Sequence, residues 1–131
     1  ASNTMYWGDY MNYNFDNNSP IYLQLVSTIK NDIISSRIKP GEKLLSIRDL
    51  ALLYKVNPNT VQKALSELES INLIYPERTN GKYVTNDISL IAKYKEEYAT
   101  SITEDYLTKM TALGYDITEI NKYLNNRKGE K

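Results

Sequence analysis

The apolar positions of this chain fall into blocks with helical spacing, interrupted once by two short alternating runs. Ile21, Leu25, Ile29 and Ile33 recur every fourth residue and predict an amphipathic helix. Ser19 caps it, Pro20 is its first residue, and it ends near Arg37, before a turn at Lys39-Pro40-Gly41. A second helix opens at Ser46, three residues before Asp49. The hydroxyl takes an orphan N–H and the carboxylate suits the positive helix end. Leu50, Leu53 and Tyr54 give it a buried face, and it stops at Lys55-Val56. Asn57 then caps a third helix with Pro58 in its first turn. At roughly 100° per residue, Val61, Ala64, Leu65 and Leu68 share one face, and Asn59, Gln62, Lys63, Ser66 and Ser70 lie opposite.

The alternating runs lie between Leu73 and Thr85. They flank Asn80-Gly81, a dipeptide that predicts a two-residue type I′ hairpin. Pro76 cannot donate to a ladder, which assigns its run to an edge strand or a bulge. Asn72 is the left-handed residue that ends the third helix. Beyond the hairpin, Ile91, Tyr94, Tyr98, Ile102, Tyr106, Met110 and Leu113 predict one helix of about seven turns ending at Gly114. Asp116 to Glu119 opens a short last helix through Ile120, Tyr123 and Leu124.

The fold class expected is therefore mainly α with a small β-hairpin wing: a winged helix-turn-helix followed by a C-terminal helical dimerisation appendage. Residues 1–18 are rich in Asn, Tyr and Asp without periodicity. They are expected to be a disordered or cloning-derived leader, with the natural start at Met5 or Met11. Residues 19–86 are expected to form the winged helix-turn-helix domain and residues 87–131 the two-helix tail. Two helices enclose their own apolar surface poorly. The tail is thus expected to form a two-fold dimer through Tyr94, Tyr98, Ile102 and Tyr106, the other reading being packing within one chain.

A helix that hides one face and offers amides and a lysine on the other suits the major groove of DNA, where amides pair with adenine edges and lysine reaches guanine or phosphate. An ordinary amphipathic surface helix has the same pattern. Three features favour the groove. A helix and a short turn precede it. Arg48 sits in the first turn of its helix, where a cation is disfavoured by roughly 0.3–1 kcal/mol and a phosphate or base would compensate. A hairpin follows, with Arg78 and Lys82 bracketing its turn as candidate phosphate or minor-groove contacts.

Composition changes this picture little. The chain has 131 residues, no cysteine and no histidine, which removes a disulfide framework, a thiolate metal site and the commonest general base. No cofactor, metal or enzymatic activity is expected. Without a long apolar run or a signal peptide, a cytoplasmic protein with no membrane association is expected. The net charge of zero is unusual for a DNA binder. It is polarised, however: Arg37, Lys39, Lys43, Arg48, Lys55 and Lys63 face only Glu42 and Asp49 in the same stretch, and acids dominate from Asp87 to Leu107. Affinity for DNA should be modest and strongly salt-dependent.

The segment from Ser19 to Val84 resembles the winged helix-turn-helix of GntR-type bacterial transcription regulators. The resemblance rests on SPIYLQLVSTIKNDIISSRIKPGEKL, LSIRDLA, VNPNTVQKALSELE, LIY and GKYV, in order and at matching spacing over about half the chain. It implies operator DNA contacts by Arg48, Asn59, Thr60, Gln62 and Lys63, with Ser46, Asn57 and Gly81 close to phosphates, and a short strand at Lys43-Leu44 pairing with the wing. Leu45, Asn72 and Thr79 depart from the pattern, standing where proline, glycine and the first wing glycine are usual. The third departure bears on how closely the wing meets DNA. The short tail is similar to the YtrA type, in which a two-helix appendage serves dimerisation. The function these expectations describe is a sequence-specific regulator, a repressor binding double-stranded DNA at a near-palindromic operator as a homodimer, with no effector identifiable. The alternative is a winged-helix module that binds protein without DNA specificity.

Overall fold

The computed structural model describes residues 15–78 and 80–128. Among the described residues, five helices and one hairpin follow in the order α1 (Ile21–Ile34), α2 (Ile47–Tyr54), α3 (Pro58–Ser70), β1 (Ile74–Glu77), β2 (Gly81–Val84), α4 (Ile88–Ala112) and α5 (Ile117–Lys128). The chain divides after Tyr94 into two compact units, and α4 begins in the first and continues through the second.

In the first unit the apolar stripes read from the sequence meet in one core. Leu25, Ile29 and Ile33 of α1, Leu50 and Tyr54 of α2, and Val61, Ala64, Leu65 and Leu68 of α3 are all buried. Val84 and Ile91 close it from the wing and the start of α4. Burial of this apolar face, more than intrinsic propensity, holds helices as short as α2 in place.

The caps of α2 and α3 are those expected. Ser46 Oγ accepts from the Asp49 N–H at 3.0 Å, and Asn57 Oδ1 accepts from the Asn59 N–H at 2.7 Å. Lys55, at φ 58°, turns the chain between these helices, and the Val56 N–H closes on the Ala51 carbonyl at 3.0 Å. Asn72 is left-handed at φ 66° after α3, as expected.

The start of α1 differs. Pro20 is itself the cap, with no side-chain hydrogen bond there. The Gln24 side chain instead reaches back and holds the segment that precedes the helix. Its Nε2 donates to the carbonyls of Asp16 and Ser19, both at 2.8 Å, and its Oε1 accepts from the Asp16 N–H at 3.0 Å. Residues 15–18, placed by sequence in a structureless leader, are thereby laid against α1, and the Phe15 ring lies 6.4 Å from that of Tyr54. The rest of that leader lies outside the described residues. The end of α1 also falls earlier than Arg37. Ser36 is left-handed at φ 65°, and the Ile38 N–H returns to the Asp32 carbonyl at 2.9 Å.

The wing pairs Ile74 with Val84, Tyr75 with Tyr83, Pro76 with Lys82 and Glu77 with Gly81. Gly81, at φ 92° and paired with Glu77, is therefore the first residue of β2 rather than part of a two-residue turn. The expected strand at Lys43-Leu44 is a single bridge from Lys43 to Tyr83. Its flanking bonds run from the Leu44 N–H to the Lys82 carbonyl and from the Val84 N–H to the Glu42 carbonyl. Lys82 and Val84 thus turn their backbone polar groups away from β1, which leaves Pro76 opposite a pair that needs no N–H. Its missing donor falls on the outer side of the sheet.

In the second unit Met110 and Ile120 are buried. Gly114 ends α4 at φ 98°. Asp116 and Glu119 form a reciprocal capping box: the Glu119 N–H donates to Asp116 Oδ1 at 2.8 Å and the Asp116 N–H to Glu119 Oε1 at 3.0 Å.

Candidate nucleic-acid interface

The buried face of α3 fixes what its other face presents. With Val61, Ala64, Leu65 and Leu68 turned into the core, Asn59, Gln62, Lys63 and Ser66 are exposed. Thr60 is half-buried at the near end. The Asn57 side chain is spent on capping, yet the residue remains exposed. Ser46 stands in the same relation to α2, capping it from the surface. Arg48, one residue into α2, is exposed, and among the described residues no carboxylate forms an ion pair with it. Its charge faces the positive end of its own helix unneutralised.

The wing brings several predicted residues together and pairs one of them with a carboxylate. Ser46, Asn80, Gly81 and Lys82 line a groove of about 560 Å³ with Lys43 and Asp49, together with the apolar Leu44, Ile47 and Leu65. Gly81 lies so close to Lys43 that a Cβ there would stand 3.4 Å from the lysine Cε. Lys43, exposed beside the wing, is a cation that the sequence reading did not assign to this face. Arg78 is exposed at the tip. Lys82 is not at the tip: its ammonium is bound by the Glu69 carboxylate, and both side chains are mostly buried. Glu69 thus ties the end of α3 to the wing. Nothing in the local pattern announces a pair thirteen residues apart. A second unforeseen contact places the Lys63 ammonium 4.1 Å from the ring centroid of Tyr22, in the first turn of α1.

One titration in this unit departs from the ordinary. Burial pushes the Asp32 carboxyl up from 3.8 to about 6, opposed by the nearby Arg37 guanidinium, whose Nε lies 3.7 Å from Asp32 Oδ1. The group lies inside the unit, only 2 % exposed, and serves its architecture rather than the polar face of α3.

The four residues named for a dimer contact have different surroundings. Tyr94 is used within its own chain. Its hydroxyl donates to the Ile71 carbonyl at 3.3 Å, and Lys30 Nζ lies 4.7 Å from its ring centroid. Tyr98 and Ile102 are 44 % and 51 % exposed. Tyr106 is half-buried, with a shielded hydroxyl that finds no partner among the described residues. The second unit exposes further apolar side chains that the stripe on α4 did not include, notably Ile117, Tyr123 and Leu124. Among the described residues no cluster of carboxylates could hold a metal ion, and no helix is long and apolar enough to cross a membrane.

This arrangement has known counterparts. Residues 21–84 match the family of bacterial regulatory proteins named gntR. The "Uncharacterized HTH-type transcriptional regulator YhcF" of Bacillus subtilis is 31% identical over 104 residues, 79% of this chain and 86% of that protein. The "HTH-type transcriptional repressor YtrA" of the same organism is 41% identical over 69 residues, 53% of each chain. Among solved structures, a GntR family transcriptional regulator from Listeria monocytogenes superposes with a TM-score of 0.80 at 38% identity, covering 86% of this chain and 98% of that one. The DNA-binding domain of AraR, solved in complex with operator ORX1, matches at a TM-score of 0.53 and 25% identity over 57% of this chain and 96% of its own.

Proposed function

This chain belongs to the GntR family of bacterial regulatory proteins, and from that membership we propose that it acts as a repressor, binding a near-palindromic operator as a homodimer. The family's regulators are DNA-binding transcription factors without enzymatic activity. The observation that carries the reading is the exposed side of α3, where Asn59, Gln62 and Lys63 stand free of the core while Arg48 offers an unpaired charge from α2.

In this reading α3 enters the major groove. Asn59 and Gln62 read base edges, and Arg48 and Lys63 reach a phosphate or guanine. Ser46, Asn57 and Thr60 lie along the backbone, and Gly81 lets the wing approach a phosphate without a side chain in the way. Arg78 supplies the wing's charge, and Lys43 replaces Lys82 as its companion. Two such heads held by paired tails meet half-sites about one helical turn apart. Tyr98 and Ile102 are the contacts we assign to that pairing. The name of the YtrA relative and the operator bound to the AraR domain support repression through DNA.

Selection of bound fragments from a random duplex pool, followed by titration at low and high salt, tests the assignment. We expect a symmetric consensus and an affinity that falls steeply with salt. Arg48→Ala should lose about 1–3 kcal/mol of operator binding. A flat salt response together with unchanged affinity in that variant would refute the DNA-reading role and favour a protein-binding winged helix.

A further inference from the structure

Lys63 has several ways to satisfy its charge and adopts a specific one. It extends from the outer side of α3, where solvent is open to it, yet its ammonium rests 4.1 Å from the ring centroid of Tyr22. Among the described residues no carboxylate forms an ion pair with it, and the first turn of α1, where Tyr22 sits, contains no acidic residue. The positive end of α1 would by itself repel the ammonium. The ring face, whose quadrupole attracts a cation, reverses that preference. A lysine on a free surface samples many rotamers, and ordering it on DNA is unfavourable in entropy. Seated on the ring, it is already ordered.

We propose that Tyr22 is a positioning residue for DNA recognition: its ring holds the Lys63 ammonium at the seam of α1 and α3, so that the charge meets the operator in one orientation. The ring leaves the charge intact, and the ammonium N–H groups that point away from the ring stay open to DNA. Tyr22 then affects operator binding only through Lys63. The proposal rests on the reading of α3 as the recognition helix.

A double-mutant cycle on the full chain tests it, measured by anisotropy with the selected operator duplex, with Tyr22→Phe as the variant that keeps the ring. Tyr22→Leu should weaken operator binding about two- to fivefold, and Tyr22→Phe should bind like the parent. In a Lys63→Gln background Tyr22→Leu should have no further effect, because the cation it orders is gone. Three results overturn the proposal. Tyr22→Leu could lose the same factor in both backgrounds, which would make its role one of packing. It could leave binding unchanged. It could strengthen binding, which would mean that the ring withholds Lys63 from DNA. If Lys63→Gln and Arg48→Ala both bind as the parent does, the recognition-helix reading fails and the proposal falls with it; a loss in Lys63→Gln without coupling to Tyr22 removes the proposal alone.

Discussion

Replacing Asp32 by asparagine should make the protein's stability less sensitive to a rise in pH from acid to neutral, and the expected size follows from its surroundings. The side chain is sealed in the first unit, Oδ2 has no hydrogen-bond partner among the described residues, and the Arg37 nitrogen at 3.7 Å is too far for a good hydrogen bond to Oδ1. Burial therefore outweighs the guanidinium, and the carboxyl sits near 6 instead of 3.8. A folded-state value above the unfolded one means that the native state holds this proton more tightly. Its contribution is complete below the unfolded value and is lost as pH rises through the folded value. A shift of this size corresponds to about 3 kcal/mol lost between roughly pH 3 and pH 7. Asparagine keeps the shape and carries no charge at any of these pH values, and Arg37, about a third exposed, keeps its hydration. Urea unfolding of parent and Asp32→Asn across that range should give a stability difference that moves in favour of the variant by about 3 kcal/mol as pH rises. Taking the difference cancels the titration of the remaining carboxylates. A flat difference would show that attraction to Arg37 balances the desolvation of Asp32, and one that moves toward the parent that the attraction exceeds it; either outcome would overturn the assigned dominance of burial.

Two other substitutions probe the wing and the tail. Glu69→Gln weakens the charge-assisted link to Lys82 and should lower stability by about 1 kcal/mol, with faster amide exchange in Gly81–Val84; an unchanged melting temperature and exchange pattern would argue that the link is idle. Ile102→Glu puts a charge on a residue already half exposed, so the single chain should tolerate it while a dimer should dissociate. Sedimentation at micromolar concentration reads the outcome, and an unaltered dimer would move the contact away from Ile102.

What could be read from the sequence was largely what short-range chemistry decides. Ser46 with Asp49, Asn57 with Asn59, and Asp116 with Glu119 are each bonds within a few residues, and each is present. The face of α3 was legible for a related reason: helical period alone sorts Val61, Ala64, Leu65 and Leu68 from Asn59, Gln62 and Lys63. The misreadings arise where distant groups compete. Asn80-Gly81 is a strong hairpin signal by itself, but the register that buries Ile74 and Val84 pairs Glu77 with Gly81 and places that glycine in β2. Lys82 is an available cation in the sequence, and only the folded chain brings Glu69 to it. Gln24 clasping Asp16 and Ser19, and Tyr94 donating to Ile71, likewise depend on segments meeting that no periodicity links.

Pro76 has a consequence for how copies of this molecule can meet. On one side of the hairpin, β2 is occupied by the Glu42–Leu44 backbone; on the other, β1 turns outward a strand whose middle residue lacks a donor. An intruding strand would find its ladder broken at the centre, so the rim is a poor template for intermolecular sheet growth. A hairpin that must project from the protein surface to be useful is protected from edge-to-edge aggregation by a single ring.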